Sequence, residues 1–212
     1  MTERGSLPLV AVYADESCLG NGREGENPGG AAGLIELRGR RGNVIRRDYW
    51  VSEPATTNNH MALRSAIEAF RILSVKQRRC AVVFTSDSRY LVDGITSWVH
   101  DWARRGWRRK TGPIENSELW LELMDVARPH LLEFRWVRGH AGHPQNEWAN
   151  LLAIRAAREQ TSSGGAVESG FEAWFAAADG PGDATPPDPS PDPANFKPMP
   201  ALPVVSKGSL LL

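Results

Sequence analysis

The chain has 212 residues, 41% of them hydrophobic, with 25 basic and 25 acidic side chains, enough for a real core in one domain with extensions or two small ones. No apolar run approaches membrane-spanning length, the N-terminus lacks a signal-peptide core, and two cysteines, Cys18 and Cys80, are too few for a disulfide framework. These features exclude a membrane or disulfide-scaffold protein, and a soluble cytoplasmic protein with no membrane partner is the expectation.

Leu9-Val10-Ala11-Val12-Tyr13-Ala14-Asp15 reads as a buried strand ending on a carboxylate. From Glu16 to Gly22 the composition changes to turn chemistry, so Asp15 is expected where a core strand opens into a loop. An acid there can face a cleft and stay ionised, because burial without a partner is costly. The glycine-rich stretch Gly20 to Gly30 lacks the lysine and following helix of a phosphate-binding loop and reads as a hairpin connection with an insertion. Ala31 to Leu37 and Val44 to Val51 read as strands joined by the turn Arg38 to Asn43, which makes a three-strand meander.

Thr56-Thr57-Asn58-Asn59 signals a helix start, and Met61 to Leu73 keep helical spacing up to Ser74. Arg79 to Ser86 is a second buried strand that runs into an acid, Asp87, and Ser86-Asp87-Ser88 caps a helix expected over roughly 88–96. Two acids at the ends of two strands fit a shared cleft. Next comes a run with three tryptophans, Trp98, Trp102 and Trp107, and with Arg104, Arg105, Arg108, Arg109 and Lys110. It reads as a projecting handle that grips a phosphate backbone, or else as a satellite core with a solvated basic rim. Asn116 to Ala127 is a helix and Leu131 to Val137 a fifth strand. A loop through His140 and His143 leads to Pro144, which suits the first turn of a helix over about 144–159. The paired histidines lack nearby ligands at zinc spacing; a loop histidine beside a cleft suits acid–base work.

From Thr161 the chain turns to Ser, Gly, Ala and Pro, with nine of the fifteen prolines from Pro181 onward. Such a segment cannot fold alone and is expected to be largely disordered. It carries a net charge of −4, which leaves +4 on residues 1–160. A mildly basic body suits nucleic acid without requiring it. The patch Ser169 to Phe175 can form an aromatic helical turn, docking on the body, on a protein partner, or on neither.

Several stretches together resemble the ribonuclease H type 1 family over roughly residues 8–158. They are Asp15-x-Ser17-Cys18-Leu19-Gly20-Asn21, Thr56-Thr57-Asn58-Asn59-x-Met61, Thr85-Ser86-Asp87-Ser88-Arg89-Tyr90, Gly94-Ile95-Thr96-x-Trp98 and Trp136-Val137-Arg138-Gly139-His140-Ala141-Gly142-His143-Pro144. The resemblance implies an α/β RNase H-like fold: a five-stranded mixed sheet, a three-strand antiparallel meander plus two parallel strands, flanked by helices. The domain would span 1–160 and the acidic tail 161–212. It also implies endonucleolytic hydrolysis of the RNA strand of RNA–DNA hybrids, with Mg2+, or Mn2+ in its place, as cofactor. Two cations roughly 4 Å apart stabilise the attacking water and the leaving oxygen in such chemistry. Magnesium takes oxygen ligands, and clustered carboxylates repel one another without it.

The family uses four acids. Carried over residue by residue, the first is Asp15 and the third Asp87, but Ala62 stands where the second is expected and Asn150 where the fourth is. Glu16, where the family has glycine, is a candidate relocated ligand, and Glu147 on the last helix is another. The resemblance makes Asp15, Asp87, His140 and Asn150 the catalytic set, and Asp15, Asp87, Glu16 and Asn150 the metal set. It assigns groove reading to Asn58 and Asn59, backbone grip to Trp98, Trp102 and residues 104–110, and product release to His140. Two readings follow: a monomeric hybrid-cleaving enzyme weakened by Ala62 and Asn150, or an inactive hybrid-binding module. A third is an interaction protein working through its tail.

Overall fold

The computed structural model describes residues 7–20, 27–38, 43–75, 78–109, 112–178 and 193–205. Strands β1 (Leu9–Cys18), β2 (Gly29–Arg38) and β3 (Val44–Glu53) form an antiparallel meander. Helix α1 (Asn58–Ser74) leads to β4 (Ala81–Ser86), which pairs parallel to β1. Next comes α2 (Arg89–Asp93), continued through a π-helical turn at Gly94–Trp98 into α3 (Val99–Arg104). Helix α4 (Ser117–Ala127) then leads to β5 (Leu131–Trp136), parallel to β4. Helix α5 (Pro144–Glu159), a short β6 (Val167–Glu168) antiparallel to β3, and α6 (Phe171–Ala178) complete the described elements. The strand order is β5-β4-β1-β2-β3-β6. The expected mixed sheet is present, and β6 raises its strand count from five to six.

Burial on both faces of the sheet explains the apolar runs. Val10, Val12 and Ala14 of β1 pack with Ala66, Phe70 and Trp120, from α1 and α4. On the opposite face Ala32 and Leu34 of β2 meet Trp148 and Leu152 of α5, as period-2 alternation requires. Thr57 caps α1 by accepting from the His60 N–H, and Pro144 begins α5. Helix α5 lies directly on β2. A Cβ built at Gly30 would come within 2.2 Å of the Ala153 carbonyl oxygen, so glycine is what lets the two backbones approach.

The structure corrects three boundaries. β1 runs to Cys18 rather than opening into a loop after Asp15. The helical stretch expected over 88–96 continues to Arg104 and takes in Trp98 and Trp102. The expectation of a largely disordered tail is corrected for its described part, residues 161–178 and 193–205; residues 179–192 and 206–212 lie outside the described residues.

The aromatic patch docks on the body. Phe171 is fully buried, and Trp174 packs at a tilt against Trp148 with ring centres 5.4 Å apart. Asp48 of β3 holds this segment by accepting from Trp148 Nε1 (3.0 Å), Ser169 Oγ (2.7 Å) and the Gly170 N–H (3.0 Å). Arg46 lies between Glu36 and Glu172 with its guanidinium 5.2 Å from the Phe171 ring centre. Further along, Met199 N–H donates to the Leu132 carbonyl at 2.7 Å. The tail therefore covers both outer strands, β3 and β5, whose exposed edges would otherwise template aggregation.

Phe171→Ala should lower the unfolding free energy by about 3 kcal/mol, measured by urea denaturation. An unchanged midpoint would show that the docked tail adds nothing to the stability of the body.

Candidate active site

The parallel pairing of β1 with β4 ends at Ala14 opposite Ser86. The next residue on each chain is an acid, so Asp15 and Asp87 are delivered to the same level. Beyond that point β1 continues against β2 alone, with Glu16 opposite Ala31. Neighbouring residues on a regular strand face opposite sides. Here, past the last residue paired with β4, the Glu16 carboxylate nonetheless approaches both other acids. Asp15, Glu16 and Asp87 each present an oxygen, and these atoms all lie within 4.8 Å of one another.

The three acids resist ionising together. Burial, then the charge of Asp87, pushes Asp15 up to about 8, against the Glu16 N–H and Asn146, which favour the ionised form. Glu16 is pushed well above the usual carboxylate range by desolvation and by Asp15 and Asp87, with a Ser88 hydrogen bond opposing. Desolvation also raises Asp87, while its own backbone N–H and His140 pull it down. All-oxygen donors carrying this much unbalanced negative charge suit a hard divalent cation.

Surrounding elements fix the carboxylates. The Glu16 N–H donates to Asp15 Oδ1 at 2.7 Å. Asn146, fully buried on α5, donates to both the Ala14 carbonyl and Asp15 Oδ2 at 3.3 Å. Sequence reasoning missed Asn146; its signal is the four-residue spacing to Asn150, which puts both on one helix face. Gly139 lies against Asp87: a Cβ there would sit 2.1 Å from Asp87 Oδ2. The next residue, His140, is exposed with φ of 52°, so the loop turns sharply as it passes the cluster.

The remaining expected residues divide. Ala62 is buried in the main core, so α1 offers a methyl group where the family pattern has an acid. Asn150 is half-buried, and its side chain makes no hydrogen bond among the described residues. Glu147 is not a member of the cluster; it accepts from the Gly142 N–H at 3.0 Å and braces the histidine loop. Asn58 and Asn59 open α1, whose start is tied to the region of Cys18 by a Thr56 N–H bond to the Asn27 carbonyl.

In the basic-aromatic run Trp107 is buried, and Trp102 packs edge-on to Trp120 with ring centres 5.6 Å apart. Trp98 is 36% exposed, and it lines an open pocket of about 300 Å³ with Tyr90, Trp102 and Arg109. Arg104, Arg105, Arg108 and Arg109 are exposed, and Lys110 lies outside the described residues. The run is thus a small aromatic core with an exposed basic rim, as the second of the two sequence readings has it.

A mixed sheet with acids past the ends of two neighbouring parallel strands is the RNase H fold. The solution structure of the prototype foamy virus RNase H domain has it too, with a TM-score of 0.59 at 15% identity over 74% of this chain and 99% of that one. The family model described as RNase H matches residues 8–158, and the chain belongs to the ribonuclease H family. Ribonuclease H of Chromohalobacter salexigens is 39% identical over 76% of this chain and 94% of its own length. That of Stutzerimonas stutzeri is 40% identical over 69% and 89%. The crystal structure of LC9-RNase H1, described as a type 1 RNase H with the type 2 active-site motif, is 60% identical, with a TM-score of 0.88 over 98% of this chain and 99% of that one. That likeness extends through the tail.

The raised value of Asp15 fixes the sign of a pH effect. Its native state binds a proton more tightly than the unfolded chain, so its contribution is complete below the ordinary 3.8 and is lost as pH rises toward about 8. In EDTA the protein should therefore lose stability between about pH 4 and about pH 8. Asp15→Asn should flatten that slope and stabilise the metal-free protein at the upper end by about 1–3 kcal/mol. Thermal melts across the range check this; a wild-type melting temperature that rises with pH would contradict it.

Proposed function

We propose that this chain is a divalent-metal-dependent ribonuclease H that hydrolyses the RNA strand of RNA–DNA hybrids, with Asp15, Glu16 and Asp87 as its metal-holding carboxylates. The observation that carries the reading is the approach of Glu16 to Asp15 and Asp87 while Ala62 stays in the core. The third carboxylate comes from the strand rather than from α1. The likeness to LC9-RNase H1, described as a type 1 RNase H with the type 2 active-site motif, supports it.

The donor set fits Mg2+, or Mn2+ in its place: three carboxylates, with the Asn150 side-chain carbonyl on α5 as a neutral addition. Bound there, such cations would supply an activated water and charge stabilisation for the leaving oxygen. The protein's own residues do the rest. Asn146 fixes the rotation of Asp15 through Oδ2, and Gly139 leaves room for Asp87. His140, exposed on its loop, is suited to carrying a proton to or from the reacting strand. Asn58 and Asn59 would read the wide minor groove with its 2′-hydroxyls, while Trp98 and the exposed arginines hold the backbone.

Single-turnover cleavage of a labelled hybrid in Mg2+ tests the reading. Wild type should cleave the RNA strand, Glu16→Gln and Asp87→Asn should each lose about 100-fold or more, and Glu147→Gln should stay within about threefold. Glu16→Gln cleaving like wild type would remove Glu16 from the site. Tight hybrid binding with no cleavage in Mg2+ or Mn2+ would make the chain a binding module instead.

A further inference from the structure

Beside the carboxylate cluster stands a cation that the site as described does not use. Trp136, at the end of β5, donates its indole N–H to the Asp87 backbone carbonyl at 2.9 Å. That bond fixes the ring against the backbone of a cluster residue. The Arg89 guanidinium lies over the ring, 4.0 Å from its centre. Both side chains are exposed, Trp136 to 40%. Arg89 makes no ion pair among the described residues.

An exposed guanidinium lying over a ring and making no ion pair still has N–H donors to offer, in the planar fork that matches phosphate oxygens. The stack also restrains a side chain that would otherwise lose much rotamer freedom on binding.

We propose that Arg89, held over the Trp136 ring at the rim of the cluster, grips a phosphate of the bound strand adjacent to the scissile one. This rests on the hybrid-cleaving reading above. Arg89 then positions the strand rather than taking part in bond cleavage. Its loss should weaken substrate binding and leave the chemical step nearly intact.

The test uses full-length wild type, Arg89→Gln and Arg89→Lys. Affinity for a labelled RNA–DNA hybrid is measured in EDTA over a range of salt, and steady-state kinetics in Mg2+. For Arg89→Gln the slope of log affinity against log salt should shrink by about 0.7–0.9, the value of one lost phosphate contact. KM should rise by about tenfold, with kcat within about twofold. Arg89→Lys should restore the slope but only part of KM, because lysine keeps the charge and loses the fork. A wild-type slope and KM in Arg89→Gln would overturn the proposal, as would a fall in kcat with the slope unchanged. If wild type itself neither bound nor cleaved hybrid, the functional reading would fail and this inference with it. If wild type did both and Arg89→Gln matched it, this inference alone would fail.

Discussion

Mutual repulsion among Asp15, Glu16 and Asp87 is the constraint around which this end of the molecule is built. Three carboxylate oxygens held within 4.8 Å and partly desolvated are an unfavourable arrangement in a metal-free protein. The fold forces the arrangement through elements that are stable for other reasons. The β1–β4 register sets the level of two acids, the overhang of β1 past Ser86 admits the third, and a buried asparagine holds Asp15 from below. Their crowding makes a cation the natural way to relieve the strain, and the same crowding is the basis of the proposed chemistry.

Helix α5 links that site to the rest of the chain. It supplies Asn146 to the carboxylates and Trp148 to the docked tail. Its close seat on β2 at Gly30 fixes its height, and Asp48 ties Trp148 to the segment around Ser169. The tail is part of the architecture that frames the site. The likeness to LC9-RNase H1 covers 98% of the chain, whereas the curated relatives from Chromohalobacter salexigens and Stutzerimonas stutzeri match 76% and 69% of it.

Much of the fold was legible because its signals are local. The apolar run at Leu9 to Ala14, the cap at Thr57 and the proline at position 144 each act within one element. What stayed hidden depends on distant partners. Glu16-Ser17-Cys18 is polar and reads as a turn, yet it stays in strand because β2 pairs with it throughout. Ser169 to Phe175 sits in low-complexity sequence, and only Asp48, Arg46 and Trp148, far away in the chain, show what it docks on. The acids Asp15 and Asp87 were visible at strand ends, and Glu16 was visible as a departure from the family pattern. Its direction was not, because strand alternation argues the opposite until the end of β4 is known. Asn146 and the Arg89–Trp136 stack drew no attention, since each gains meaning only from a backbone carbonyl or carboxylate on another element.

The central claim is that Glu16 supplies the carboxylate that Ala62 does not. Anomalous diffraction from crystals of the full chain grown with Mn2+ tests it directly. A manganese ion bonded to oxygens of Asp15, Glu16 and Asp87 at about 2.0–2.2 Å is the expected result. An ion held by Asp15 and Asp87 with Glu16 turned away, or with Glu147 in its place, would contradict it.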